Sequence, residues 1–280
     1  MLSSSGTDLN DMMIFNDYLK QWHLIQDGNP IMTNTSHLLP VIYQGQSAML
    51  KIALSEEERA GAALMVWWNG EGAARIFRHE SDALLMERAT GKHSLTHMAR
   101  SGQDDEASRI ICDVTARLHA NTHRPYPSSL VPLSTWFRSL HAAANEHGGI
   151  FTQADNAATE LLSNPQDTVV LHGDIHHQNI LDSGIHGWIA IDPKGLLGER
   201  GFDYANIFCN PDQDIATRPG RLAQQATIVA KAAALEYSRL MKWILAYAGL
   251  SAAWSLQDGD SPDLALAVAT ISKAELDRQV

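Results

Sequence analysis

The side chains able to do chemistry concentrate between Val170 and Asp192. His172, Asp174, His176, His177 and Asn179 fall within eight residues, flanked by the apolar pairs Val170-Leu171 and Ile180-Leu181. Polar groups on a loop set at the end of a rigid strand are a common catalytic arrangement. Thirteen residues beyond Asn179, a second apolar run (188–191) ends at Asp192, and Asp182-Ser183-Gly184 between the two is a turn signal. The two runs therefore read as a hairpin that brings Asp192 back beside Asn179. One amide oxygen and one carboxylate meeting there form a hard-oxygen site suited to Mg²⁺, which takes one or two protein carboxylates and completes its shell with water and phosphate. Asp174, five residues before Asn179, is close enough to orient or deprotonate an attacking hydroxyl. The imidazoles leave a second chemistry open, because imidazole favours zinc. A zinc hydrolase would need further ligands at strand ends, whereas His119, His123, His141 and His147 fall on helices or loops. His172 is expected to support the loop by hydrogen bonds, and His176 and His177 to line the cleft or pack.

Two kinds of element have to position these groups. Up to about residue 88 the pattern is β-rich. Residues 30–54 read as a hairpin turning at Tyr43-Gln-Gly-Gln, whose last strand, 48–54, carries Lys51. Ser55 is an N-cap for a helix over Glu56–Trp68, with Glu58 at the capping-box position. Strands are expected over 74–77 and 83–87, with a hinge near 87–91. From Gly91 onward the periodicity is helical, over 104–121, 222–248 with Gly249 as its C-terminal stop, and 263–276. Trp243, Tyr247 and Trp254 recur at spacings of 4 and 7; they could wall an acceptor pocket, but that helical spacing favours the core. The fold class is thus α+β, with a small β-rich N-lobe (1–88) and a larger, mostly helical C-lobe (89–280).

Composition narrows the function further. The chain has 280 residues, 45% of them apolar and 19% charged, an ordinary globular balance for one large domain or two lobes, each with its own core. The longest uncharged apolar run, 243–256, is 14 residues, short of the ~20 that span a bilayer. The start, MLSSSGTDLNDMM, lacks a basic region and carries Asp8 and Asp11, so it does not read as a secretory signal and the expected location is the cytoplasm. Two cysteines, Cys112 and Cys209, supply no disulfide framework and read as buried apolar residues. A net charge of −11 without a basic stripe argues against nucleic acid and would suit a cationic small substrate.

His172-Gly-Asp174-x4-Asn179 followed by Ile191-Asp192-Pro193 resembles the catalytic loop and metal-binding segment of the aminoglycoside phosphotransferases and their protein-kinase-like relatives. Within that group the chain is most similar to the streptomycin 6-kinase and hydroxyurea phosphotransferase family, in HGD-x-HH-x-N, IDP-x-G-x-x-G-E, Leu250-Ser-Ala-Ala-Trp254, Leu85-Met-Glu87 and Val66-Trp67-Trp68-Asn69-Gly70. The resemblance covers about residues 30–260. It implies a two-lobed protein-kinase-like fold and transfer of the γ-phosphoryl of ATP to a small-molecule hydroxyl, with streptomycin at its 6-hydroxyl first, and hydroxyurea or another small metabolite as the alternative. It further implies Asp174 as catalytic base, Asn179 and Asp192 as Mg²⁺ ligands, and Lys51 on the α- and β-phosphates, paired with Glu58. Glu56 and Glu57 compete with Glu58 on the same helical turn. Glu87 to Ala89 would be the hinge offering backbone groups to adenine, and Asp203 a buried brace of the catalytic loop. The chain departs from protein kinases in having no glycine-rich loop before Lys51, where Thr33-Asn-Thr-Ser-His37 stands instead, and Pro-Lys-Gly after Asp192. The remaining alternative is a kinase-like binding module without catalysis.

Overall fold

The computed structural model describes residues 7–120 and 124–278; the first six residues, Asn121 and His123, which entered the reading above, lie outside them. A helix, α1 (Thr7–Gln21), leads into strands β1 (Ile25–Gln26), β2 (Ile31–Met32), β3 (Ser36–Tyr43) and β4 (Gln46–Ala53). Helix α2 (Glu56–Trp68) and strands β5 (Ile76–Glu80) and β6 (Ala83–Glu87) complete this part. The strands form one sheet in the order β1-β3-β4-β6-β5, with β2 also paired to β3. The β3–β4 hairpin closes through Gln44 and Gly45, both with positive φ (50° and 78°), the two-residue geometry whose twist matches that of the flanking strands.

Alternation along β4 decides where Lys51 points. Ala48, Leu50 and Ile52 face the same way as Leu39 and Val41 of β3, into a core closed by Phe15 and by Trp22 just beyond α1. Lys51, one residue out of phase, must face the opposite side of the sheet, toward α2.

The second part is mostly helical: α3 (Leu95–Arg100), α4 (Asp104–His119), α5 (Leu133–Trp136), α6 (Arg138–His147), α7 (Ile150–Ser163), α8 (Gln213–Ala216), α9 (Arg221–Ala232), α10 (Tyr237–Asp258) and α11 (Asp263–Asp277). Between these lie β7 (Val131–Pro132), β8 (Thr168–Leu171), β9 (Ile180–Asp182), β10 (Trp188–Ala190), β11 (Leu196–Glu199) and two 3₁₀ turns, Arg200–Tyr204 and Asn206–Cys209. Strands β9 and β10 pair as an antiparallel hairpin, with Asp182 opposite Trp188. Among the described residues no helix is long and apolar enough to cross a membrane.

Four expectations need correction. The N-terminal part buries a core of its own on one face of its sheet, but the helical part does not: its apolar cluster is shared, running from Leu64, Met65 and Trp68 of α2 and Met86 of β6 into α4, α7 and α10. Ala190 joins the parts by backbone hydrogen bonds, accepting from the Ala74 N–H (2.9 Å) and donating to the Gly72 carbonyl (2.8 Å). The N-terminal part holds two helices rather than one, because the polar start opens into α1. The strand expected at 74–77 lies at Ile76–Glu80. Residues 222–248 form no single helix: Ala234 adopts φ 49°, and Glu236 caps a new helix by accepting from the Ser238 and Arg239 amides. Gly249 is therefore interior to α10, where a Cβ would come within 2.4 Å of the Ala154 methyl. The stop is Gly259, in the left-handed conformation. Glycine at 249 lets α10 and α7 approach closely, and helical periodicity cannot distinguish that role from a C-terminal stop.

Candidate active site

The loop between β8 and β9 carries Asp174 and is held from both ends. Asp203 is 1% exposed; its two oxygens accept from the backbone N–H of His172 (2.9 Å) and of Gly173 (2.8 Å), and Oδ2 also meets His119 Nε2 at 2.8 Å. Gly173 has φ +88°, and a Cβ there would stand 3.0 Å from Leu196 and 3.1 Å from the Lys194 Cβ, so both backbone and space require glycine. His172 is fully buried. Its Nδ1 faces the Asp174 N–H (3.2 Å) and its Nε2 faces the Ile191 carbonyl (2.8 Å). The first partner is a donor and the second an acceptor, so the ring carries its proton on Nε2 and is neutral. Burial holds it below the usual imidazole range against the pull of Asp203 and Asp174. His172 thereby ties the Asp174 loop to the strand that delivers Asp192.

Asp174 is fixed at both oxygens. Asn179 Nδ2 donates to Oδ2 (3.0 Å) and Asn206 Nδ2 donates to Oδ1 (2.9 Å); Asn206 is positioned in turn by the Asn210 side-chain amide at 2.9 Å. Burial pushes the Asp174 carboxyl up, but His176, with Nε2 3.6 Å from Oδ2, and Lys194 hold it below the ordinary aspartate value. It is therefore ionised at neutral pH, able to accept a proton or orient a donor.

Asp192 stands at the end of the hairpin with φ 62°, a conformation that aspartate tolerates better than most residues. The Ile191 N–H donates to the Asn179 carbonyl (2.9 Å) and the Lys194 N–H to the His172 carbonyl (2.7 Å), so both sides of the turn are pinned to the loop. Lys51 Nζ lies 2.5 Å from Asp192 Oδ1 and 2.5 Å from Glu58 Oε2. Burial opposes ionisation of Asp192, and Lys51 and Lys194 outweigh it, holding the carboxyl low. Glu58 is drawn away from the capping box expected of it. Its backbone N–H is capped by Ser55 Oγ (3.3 Å), while its carboxylate takes Lys51 and the Thr35 hydroxyl (2.9 Å). Glu56 makes its ion pair with Arg59, and Glu57 with Lys194, so of the three glutamates the structure brings Glu58 to Lys51.

Two cavities are lined by residues of this junction. One, of about 270 Å³, is lined by Lys51, Glu58, Asn179, Asp192 and the turn residues Thr33, Thr35 and Ser36. The other, of about 490 Å³, is lined by Asp174, Gly173 and Lys194 with Trp136, Ser139, Tyr247 and Trp254. The Asp192 carboxylate and the Asn179 amide oxygen are hard donors on the first cavity, with Asp192 held ionised, and this donor set fits Mg²⁺. Glu87 gives its N–H to the Arg75 carbonyl (2.8 Å), and its carboxylate accepts from the Arg75 N–H (3.0 Å) and the Ser183 hydroxyl, which leaves its carbonyl as the group it could offer a ligand. Ala89 follows, half-buried against the shared core.

Several residues of the junction were missed or misassigned from sequence. Trp243 and Tyr247 are core, 1% and 6% exposed, but Tyr247 also lines the larger cavity, together with Trp254. Trp254 meets Trp136 edge to face at 5.1 Å. Helical period identifies the inward face of α10 without showing that part of it is an opening. Asn206 and Asn210 carried no recognisable signal beyond their nearness to Asp203. His177 is buried, 2% exposed, and so packs rather than lining the cleft.

Comparison with known proteins accords with this arrangement. A family model described as "Aminoglycoside/hydroxyurea antibiotic resistance kinase" matches residues 21–259. The chain is 49% identical over 246 residues to the streptomycin 3''-kinase of Klebsiella pneumoniae, covering 86% of this chain and 92% of that one. It is 28% identical over 262 residues to the streptomycin 6-kinase of Streptomyces griseus, covering 85% and 81%. Among solved structures, a choline/ethanolamine kinase family protein from Mesorhizobium loti superposes with a TM-score of 0.68 at 14% identity, over 97% of each chain. At that identity the likeness speaks for the fold, which is the two-lobed protein-kinase-like one.

Proposed function

The chain belongs to the aminoglycoside/hydroxyurea antibiotic resistance kinase family, and on that premise we propose that it phosphorylates streptomycin with ATP, at the 3''-hydroxyl. The observation that carries this reading is the 49% identity to a streptomycin 3''-kinase over nearly the whole of both chains. The 6-hydroxyl expected from the sequence is the second reading, favoured by the 28% identity to streptomycin 6-kinases.

In this proposal residues 1–88 form the nucleotide-binding lobe and residues 89–280 the catalytic and acceptor-binding lobe. Lys51, fixed by Glu58, faces the α- and β-phosphates, and the hinge at Glu87 to Ala89 receives the adenine. Asn179 and Asp192 would hold Mg²⁺, which neutralises phosphate charge when bound. Asp174 accepts the proton of the acceptor hydroxyl as its oxygen bonds to the γ-phosphorus, and the bond to the bridging oxygen breaks with its electron pair leaving on ADP. The protein's contribution is positioning and fixed charge: Asp174 is immobilised by two amides and needs no reorganisation as the hydroxyl arrives. Trp136, Tyr247 and Trp254 wall the cavity on the Asp174 side, where the cationic acceptor would sit.

The test is ATP consumption with streptomycin, other aminoglycosides and hydroxyurea, followed by mass spectrometry and phosphorus–proton correlation NMR of the product. A single phosphate coupled to the 3''-proton is the expected result. Coupling to the 6-proton selects the second reading, and phosphorylation of a different acceptor overturns streptomycin while keeping the kinase.

A further inference from the structure

We propose that Lys194 is a further catalytic residue, its ammonium donating hydrogen bonds to the non-bridging oxygens of the γ-phosphoryl group as that group crosses from nucleotide to acceptor. The inference rests on the phosphotransferase reading above and extends it to a residue outside the motif roles already assigned.

Position is the first argument. The Lys194 N–H donates to the His172 carbonyl at 2.7 Å, which pins its Cα to the loop that carries Asp174. Its side chain then runs along the bare face of Gly173, where a Cβ would come within 3.1 Å of the Lys194 Cβ. The ammonium reaches the cavity lined by Asp174, while Lys51 lines the cavity that also holds Asn179 and Asp192. Each of the two cavities that a transferred group must connect therefore has a cation of its own.

Charge is the second. In phosphoryl transfer, negative charge spreads over three equatorial oxygens. On the acceptor side that charge would meet the ionised Asp174 carboxylate, which repels it, and a fixed cation beside Asp174 offsets the repulsion. The ammonium is an ordinary lysine cation paired with Glu57 Oε1 at 3.0 Å. It neither gains nor loses a proton in the step. The O–P bond forms, the P–O bond to ADP breaks, and the hydroxyl proton goes to Asp174.

A structural role would run through Glu57, whose Oε1 lies 3.0 Å from Lys194 Nζ and whose side chain is 59% exposed. A pair with so exposed a partner adds little to stability, and Glu57 can swing into solvent to release the ammonium.

The experiment compares wild type, K194M, K194R and E57Q, reading kcat and KM for transfer to streptomycin, the slow hydrolysis of ATP by water without acceptor, and ADP affinity by calorimetry. K194M is expected to lose about 100-fold in kcat in both reactions, with KM values and ADP affinity within about threefold of wild type. K194R should recover at least about a tenth of the lost rate, since a charged donor returns, and E57Q should stay within about threefold. If K194M does not fold, K194Q is read in its place. Wild-type kcat in the uncharged variant, or an E57Q loss as large as that of K194M, overturns the proposal. If wild type leaves streptomycin untouched, the acceptor reading fails while the hydrolysis arm still decides Lys194. If wild type turns over no ATP at all, both readings fail.

Discussion

Asn179 donates its side-chain amide to the carboxylate of Asp174 at 3.0 Å and to the Asp174 backbone carbonyl at 2.9 Å. Both partners are acceptors, so the nitrogen must face them, which leaves Oδ1 for the cavity that Asn179 shares with Lys51 and Asp192. A single amide thus orients the group that faces the acceptor and offers an oxygen to the nucleotide side. N179A should lower kcat and weaken Mg·ATP binding together, by about tenfold or more in each; steady-state kinetics and calorimetry with Mg·ATP check whether the two effects move as a pair.

Asp174 itself lines the acceptor cavity, so its loss should separate chemistry from nucleotide binding. D174N keeps the shape and removes the base. The expected result is a fall in kcat of about 10²–10⁴-fold with ADP affinity close to wild type. Substantial turnover in D174N would remove Asp174 from the role of proton acceptor.

Gly61 fixes the distance between α2 and the Asp192 turn. A Cβ at this position would lie 2.4 Å from the Pro193 carbonyl oxygen, a backbone atom that cannot rotate aside. G61A gains about 1 kcal/mol of helix propensity and meets an overpacking cost of about 1–3 kcal/mol. The second term is expected to win. Because Glu58 lies one turn earlier on the same helix, the KM for ATP should rise with the displacement while the acceptor KM changes little; thermal denaturation and the two KM values test this.

Gly249 poses the same contest between two helices. In G249A the new methyl would stand 2.4 Å from that of Ala154, so the variant should be less stable by about 1–3 kcal/mol, contrary to propensity. Adding A154G should return part of that loss, and urea unfolding of the single and double variants measures the coupling.

His177 should make the fold sensitive to acid. Among the described residues neither ring nitrogen has a hydrogen-bond partner, nor does Nη1 of the nearby Arg221, which is held by Asp104 at 2.6 and 3.1 Å. Burial first, then the Arg221 charge and His176, push the imidazole down to about 4 from 6.5, against the opposing pull of Asp104 and Asp212. The folded state therefore resists a proton that the unfolded chain accepts below pH 6.5. Stability is complete above that value and drains away as the pH falls toward about 4, by up to about 3 kcal/mol from this residue. Urea midpoints at several pH values should fall more steeply for wild type than for H177N.

Much of this molecule can be read along the chain wherever the physics is local. The apolar runs flanking the polar cluster, the Ser55 cap, the two-residue turn at Gln44-Gly45 and the strands at Thr168–Leu171 and Ala83–Glu87 depend on neighbours a few positions away. Residue type and spacing reveal them because period, capping and turn chemistry act over that range. Order along the chain also placed Asn179 and Asp192 at the open end of one hairpin, just outside its two strands, since a short turn leaves a returning strand little freedom.

What lay beyond reach depended on which distant surfaces meet. Glu58 stands among three glutamates of similar local claim; the resemblance named it, while residue type and position alone did not, and the packing of α2 on the sheet is what brings it to Lys51. Gly249 carries the same residue type as a helix stop, yet Ala154, 95 positions earlier, makes it a close contact between helices. Tyr247 and Trp254 share a period with the buried Trp243, but the approach of the Trp136 segment leaves a cavity over two of the three. Asn206 clasps Asp174 from 32 residues away. Period and residue type specify which face of an element turns inward; whether that face meets a neighbour or a cavity is decided when the elements assemble, because a single segment carries no record of the surface it will be packed against.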